Sequence, residues 1–196
     1  MVLAAEEAEV GHFIFISFYA DQENNPFLMS PFYGYASRRL ACSSLSYTVI
    51  KNAMYADPLV SYLSELEDRG KVVYPVPHEK VSFISRQDSA RAIVSVAVDP
   101  SLHNQTYTLT QNRSYTMVEL AETLSQVSGS ELGFEPMSME EFAQVYDEPS
   151  GFGPLLASMY EAANLGLLNT VTEDYRFITG KEAESLLSFM KRHCQD

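Results

Sequence analysis

The chain has 196 residues, 46% of them hydrophobic and 20% charged, which is enough to bury a sizeable core in one domain or one and a half and excludes general disorder. Its 13 Lys and Arg stand against 26 Asp and Glu, a formal charge of -13 that makes nucleic acid or an anionic membrane a poor main partner, with a local basic pocket for a small anion still allowed. The excess is C-terminal: residues 1 to 98 carry 8 basic and 11 acidic groups, residues 99 to 196 carry 5 and 15.

In chain order, Leu3, Ala4, Ala5, Ala8 and Val10 among glutamates read as the last turns of a helix, with Gly11 where a left-handed cap is wanted. Residues 12 to 17 follow as a continuous aromatic and β-branched run, the pattern of a strand covered on both faces in a parallel sheet. After a polar loop over 21 to 26, the spacing predicts a helix from Leu28 to about Cys42, limited at its start by Pro31. Residues 46 to 51 form the next strand, and the length of the crossover makes it parallel to the first. Asp57-Pro58 opens a helix with Leu59, Val60, Leu63 and Leu66 apolar, which Gly70 ends.

Residues 71 to 74 and 81 to 85 read as short strands, after which Asp88 caps a helix carrying Ala90, Ile93, Val94 and Ala97. Residues 106 to 110 alternate like an exposed-edge strand. Thr116-x-x-Glu119 and Ser138-x-x-Glu141 are capping boxes, the first opening a helix that Gly129 stops. Residues 154 to 168 and 181 to 193 give two more helices, joined by a strand-like stretch over 175 to 178. The pattern is α/β, with a parallel sheet incomplete on its N-terminal side. Residues 1 to about 100 are expected to form the sheet domain and residues 101 to 196 a small helix-rich lobe.

Cys42 and Cys194 fit neither a disulfide framework nor a metal-ligand spacing and read as free thiols in a reducing cytoplasm. The N-terminus has no basic n-region and carries three glutamates within nine residues, so it does not read as a signal peptide. No apolar run approaches the roughly 20 residues that span a bilayer. A cytoplasmic protein is expected.

Ligands of open α/β sheets bind beyond the carboxyl ends of the strands, here Ser17, Phe18, Tyr19 and Ala20 and then Lys51, Asn52, Ala53, Met54 and Tyr55. These residues either line a pocket for a flat ring or finish strands and pack loops, and composition leaves both open. Tyr35 and Arg39 are four apart on one helix face, where the cation would favour a phenolate; the same spacing also occurs on ordinary helix surfaces. His12, His78, His103 and His193 lie in separate elements with no carboxylate or cysteine at ligand spacing, so no metal site is expected. Neither a G-x-S-x-G elbow nor a glycine-rich phosphate loop occurs in these residues.

Four blocks then carry a resemblance: Gly11-His12-Phe13-Ile14-Phe15-Ile16-Ser17-Phe18-Tyr19-Ala20-Asp21, Tyr47-Thr48-Val49-Ile50-Lys51-Asn52-Ala53-Met54-Tyr55, Ser85-Arg86-Gln87-Asp88-Ser89-Ala90-Arg91-Ala92 and Tyr107-Thr108-Leu109-Thr110. In order and spacing they resemble the NmrA-like atypical short-chain dehydrogenases, a group that includes bacterial type-2 NAD(P)H:quinone reductases. The resemblance implies a Rossmann-type domain with NAD(P)H across the strand ends and a small C-terminal substrate lobe. It implies Ser17, Phe18, Tyr19, Asn52 and Ala53 on the cofactor side and Met54 and Tyr55 on the substrate side. The family's tyrosine and lysine four apart correspond to Tyr35 and Arg39, with the lysine replaced.

The implied activity is hydride transfer to a quinone-like acceptor. The chain resembles the C-terminal two-thirds of a family member, so the expectation is a truncated form with weak NAD(P)H binding of its own and little activity. The edge of the strand at residues 13 to 18 is then expected to be open to self-association. Nothing in these residues separates NADP from NAD. The alternative implied by the same family is a non-catalytic NAD(P)-sensing regulatory or interaction protein.

Overall fold

The computed structural model describes residues 1–194. The apolar run at its start becomes β1 (Phe13–Phe18), and Tyr47–Asn52 becomes β2. The two pair in parallel, in a register running from Phe13 opposite Tyr47 to Phe18 opposite Asn52. Their crossover holds α2 (Ser30–Ala41), with Pro31 in the first turn, where a missing N–H breaks no helical bond. The helix before β1, α1 (Val2–Glu7), ends on Ala8, and the left-handed residue that follows is Glu9 at φ 50, not Gly11.

On its other side β2 pairs in parallel with β6 (Thr106–Leu109), so the sheet runs past the division expected near residue 100. One apolar core joins Ile50 and Val72 from the first half to Leu109, Leu120, Phe142 and Leu186 from the second. On the outer side β1 has no partner strand among the described residues. Phe15 is nevertheless buried against Leu40 and Val49, while Ile16 is 37% exposed.

Just past Asn52 the chain turns into β3 (Met54–Tyr55), which pairs in parallel with β5 (Val81–Ile84); β5 in turn pairs antiparallel with β7 (Ser114–Tyr115). Between β3 and β5, α3 (Asp57–Arg69) ends on Gly70 at φ 67, a backbone state that a side chain resists. Of the strand expected over 71 to 74 only Lys71–Val72 (β4) pairs, with Gly133–Phe134 (β8). The Thr116 capping box opens α5 (Met117–Ser128) and is closed in both directions, Glu119 N donating to Thr116 Oγ1 at 3.1 Å and Thr116 N to Glu119 Oε2 at 2.8 Å. Ser138 caps α6 (Met139–Val145), and α7 (Phe152–Asn164) follows. Among the described residues no helix is long and apolar enough to cross a membrane.

Two further expectations fail. The cap of α4 (Arg86–Val98) is Ser85, whose hydroxyl accepts from Asp88 N at 3.0 Å. Asp88 lies inside the first turn and is 1% exposed; it accepts from the Tyr175 hydroxyl at 2.8 Å, Glu184 N at 2.8 Å and Arg91 Nη1 at 2.9 Å. Residues 175 to 178 are not a strand but part of α8 (Asp174–Thr179). Tyr175 and Ile178 are buried at helical spacing while Phe177 between them is 70% exposed, a three-residue pattern that so short an apolar run does not disclose.

Asp88 thus clasps α8 and the approach to α9 (Leu186–Cys194) onto α4. Asp88→Ala removes the acceptor of two hydrogen bonds from other elements and is expected to cost about 3 kcal/mol in urea unfolding. Arg91→Ala, on a side chain that is 56% exposed, is expected to change stability little.

Candidate active site

The β1–β2 register sets Ser17 level with Lys51 and Phe18 level with Asn52, at the carboxyl ends where α/β sheets receive ligands. A groove of about 300 Å³ opens there, lined by Ser17, Phe18, Phe27, Tyr33, Asn52 and Ala53. Met54, Tyr55, Pro58 and Met159 line this groove and also wall a second cavity of about 150 Å³. The rest of that cavity is apolar and phenolic: Leu59, Tyr62, Tyr74, Val81, Phe83, Met117, Leu120, Phe142, Tyr146, Phe152, Leu156 and Tyr160. Ser17, Phe18, Asn52, Ala53, Met54 and Tyr55, singled out in the sequence, therefore meet in one place.

Tyr19, Tyr35 and Arg39 do not. Tyr19 is 5% exposed and points into the core, where its hydroxyl donates to the Leu168 carbonyl at 2.6 Å; burial pushes the phenol above its usual range. It is a strut between β1 and the segment after α7. Tyr35 is 64% exposed on α2, and Arg39 pairs with Glu6 at 3.1 Å on α1. The phenol of α2 that reaches the groove is Tyr33, held above the usual range by burial and by its neighbour Tyr55.

Few polar contacts organise the groove. Ser89 Oγ donates to Asn52 Oδ1 at 2.9 Å, and Asn52 Nδ2 donates to the Tyr55 hydroxyl oxygen at 2.9 Å. The Arg86 guanidinium lies over the Tyr55 ring, 5.2 Å from its centre. Ser17 Oγ is buried with no hydrogen-bond partner among the described residues, as are Ser37 Oγ and Gln111 Oε1 outside the groove. The loop between β1 and α2 is tied down: Lys51 pairs with Asp21 at 2.7 Å, Asn25 Oδ1 accepts from Phe27 N at 2.8 Å, and Leu28 N donates to Ser158 Oγ at 3.1 Å. Those ties present Phe27 to the groove.

Helices α6 and α7 roof the second cavity with Phe142, Phe152, Leu156, Met159 and Tyr160. They touch backbone to backbone: a Cβ built on Gly153 would lie 1.9 Å from the Ala143 carbonyl oxygen. Burial pushes Tyr74 and Tyr160 upward, and burial followed by the Glu65 carboxylate pushes Tyr146 up to about 12. Tyr74, Tyr146 and Tyr160 thus line the cavity as neutral phenols in the physiological range. None of Phe27, Tyr33, Met159 and Tyr160 was marked by a motif; Phe142 and Tyr146, four apart after the Ser138 cap, had helical periodicity as their only signal. Among the described residues no three metal-ligating side chains gather.

Two outcomes follow for stability. The buried phenols keep their protons in the folded state above the ordinary tyrosine value of about 10, where the unfolded chain releases its own. Stability is therefore fully present below about pH 10 and falls as pH rises toward 12, and Tyr160→Phe flattens the fall in urea titrations made across that range. Gly153→Ala overpacks the roof and is expected to cost about 2 kcal/mol, read as a drop of roughly 6 °C in Tm.

Comparison with known proteins finds the same fold. A nucleoside-diphosphate-sugar epimerase from Staphylococcus aureus superposes with a TM-score of 0.94 at 46% identity, over 97% of this chain and 68% of that one. The NADPH complex of an NADPH-dependent quinone oxidoreductase from Escherichia coli superposes with a TM-score of 0.90 at 22% identity, over 97% of this chain and 68% of that one. An NAD(P)H azoreductase from Xenophilus azovorans is 22% identical over 196 residues, 98% of this chain and 68% of the azoreductase. The model of the NmrA-like family matches residues 1–174, and with it the chain belongs to the NmrA-like family.

Proposed function

We infer that this chain forms the nicotinamide-side and acceptor-side parts of an NAD(P)H-dependent oxidoreductase acting on a quinone-like acceptor. The observation that carries the reading is the phenol-lined cavity beside the strand-end groove, with Met54, Tyr55, Pro58 and Met159 bordering both; hydride transfer requires these side chains to leave an opening through which the two rings touch. The groove suits a flat carboxamide-bearing ring: Phe18 and Phe27 offer apolar surface, and the orphaned Ser17 hydroxyl offers a partner to an amide. When bound there, the cofactor supplies a hydride. The chain's own residues orient two planar molecules and exclude water, which is the larger demand in hydride transfer and accords with so few titratable groups. NADP and NAD share the ring that this groove suits, so both remain candidates.

The quinone oxidoreductase and azoreductase relatives support the same reading. The epimerase relative points elsewhere, but a nucleoside-diphosphate sugar carries charge and many hydroxyls. The second cavity has no charged side chain in its lining among the described residues, which favours an uncharged ring.

The 196 residues contain no glycine-rich phosphate loop, so on their own they are expected to hold NADPH weakly. The edge of β1, unpaired among the described residues and with Ile16 exposed, would suit a second copy of the chain. The test supplies two hydride donors: NADPH, and reduced nicotinamide mononucleotide, which lacks the adenosine and its phosphate. Menadione reduction above the protein-free rate is expected, larger relative to donor concentration for the mononucleotide than its missing contacts would otherwise allow, and slowed by Ser17→Val. Rates equal to the protein-free rate with both donors would overturn the reading.

A further inference from the structure

Tyr55 lines both the groove and the cavity, and its hydroxyl lies where they adjoin, beside the groove residue Asn52. An amide nitrogen has protons to give and no lone pair to offer, so toward Asn52 Nδ2, 2.9 Å away, the Tyr55 oxygen is an acceptor. Its own proton has no partner among the described residues. Asn52 and Ser89, 2% and 3% exposed, are packed into the core and hold the amide from behind. Arg86 covers the phenol ring from another side. The contrast with Tyr146 is direct, because that phenol spends its proton on Glu65 Oε1 at 3.2 Å.

We propose that the Tyr55 hydroxyl donates a hydrogen bond to a carbonyl-type oxygen of the acceptor, so that the site distinguishes flat uncharged rings carrying such an oxygen from the same rings without it. The assignment rests on the acceptor reading given above and adds to it the residue that recognises the oxygen. An apolar cavity binds any flat ring by area alone, and area cannot tell a quinone from its parent hydrocarbon. A carbonyl oxygen entering such a cavity loses its water and stays bound only where a donor replaces that water. Discrimination of this kind comes from a positioned donor whose other bonds are already made, and Tyr55 meets that description. The two methionines beside it, Met54 and Met159, supply adaptable apolar surface but no donor.

The test compares menadione with methylnaphthalene, the same fused rings without the oxygens, by calorimetric titration of the 196-residue chain. It requires neither cofactor nor turnover. The unmodified chain is expected to bind menadione more tightly than methylnaphthalene. Tyr55→Phe should weaken menadione about tenfold and leave methylnaphthalene unchanged, the unchanged hydrocarbon also showing that the cavity has kept its shape. Asn52→Ala, which leaves the Tyr55 phenol in place but frees it to rotate, should narrow the preference for menadione several-fold and carries the test if Tyr55→Phe does not fold. The assignment is overturned if both variants keep the full menadione affinity, or if both ligands weaken alike. If the unmodified chain binds neither ligand, the acceptor reading itself falls, and the role of Tyr55 with it. If it binds both and the variants keep the full preference for menadione, the acceptor reading stands and the role of Tyr55 alone is lost.

Discussion

The parallel pairing of β1 with β2 is the constraint from which the site is built. Because side chains alternate along a strand, a slip of one residue would turn Phe18 to the face opposite Asn52. The register is held by burial, Ile50 and Val49 being almost wholly enclosed, and by the backbone bonds that continue past the strands, such as Tyr19 N to the Asn52 carbonyl at 3.1 Å. With that pairing fixed, Phe18 and Asn52 lie side by side and the chain beyond Asn52 peels off into β3. Met54 and Tyr55, which border both groove and cavity, are the direct continuation of β2.

Around this frame the polar groups divide by task. Asp88, Tyr19 and Lys51 are satisfied by protein and tie elements together: α4 to α8, β1 to the segment after α7, and β2 to the loop before α2. Ser17 and the Tyr55 proton are the groove's exceptions, groups that the protein leaves without a partner among the described residues. Leaving a buried polar group unmatched costs stability; Ser37 Oγ and Gln111 Oε1 share that state among the described residues, and Ser17 is the one of the three that lines the strand-end groove.

The sheet strands, α3 with its Pro and Gly ends, and the Thr116 capping box were legible because each rests on local chemistry that few alternatives share. The strand ends were legible as a locus for the same reason: the end of a buried apolar run is visible in sequence. What failed needed tertiary information. Asp88 has the residue type of a cap, but Ser85 three positions earlier takes that task and leaves the carboxylate for Tyr175 and Glu184. Tyr35 and Arg39 share a helix face, yet it is the outer one; Tyr33, two residues earlier, faces the groove. The roof from α6 and α7 depends on a backbone contact at Gly153, which no motif announces.

The partition formed by Met54, Tyr55, Pro58 and Met159 has a consequence for how the two compartments share space. Tyr55 and Pro58 are stiff, one through its bond to Asn52 and its cover by Arg86, the other through its ring in the first turn of α3. The thioethers are unbranched and turn about three bonds each. Such a partition is a fixed post with two swinging panels: volume gained on one side by a methionine rotamer is volume surrendered on the other. Groove and cavity are coupled in size without any movement of the backbone, so the shape of whatever fills the first is felt by the second.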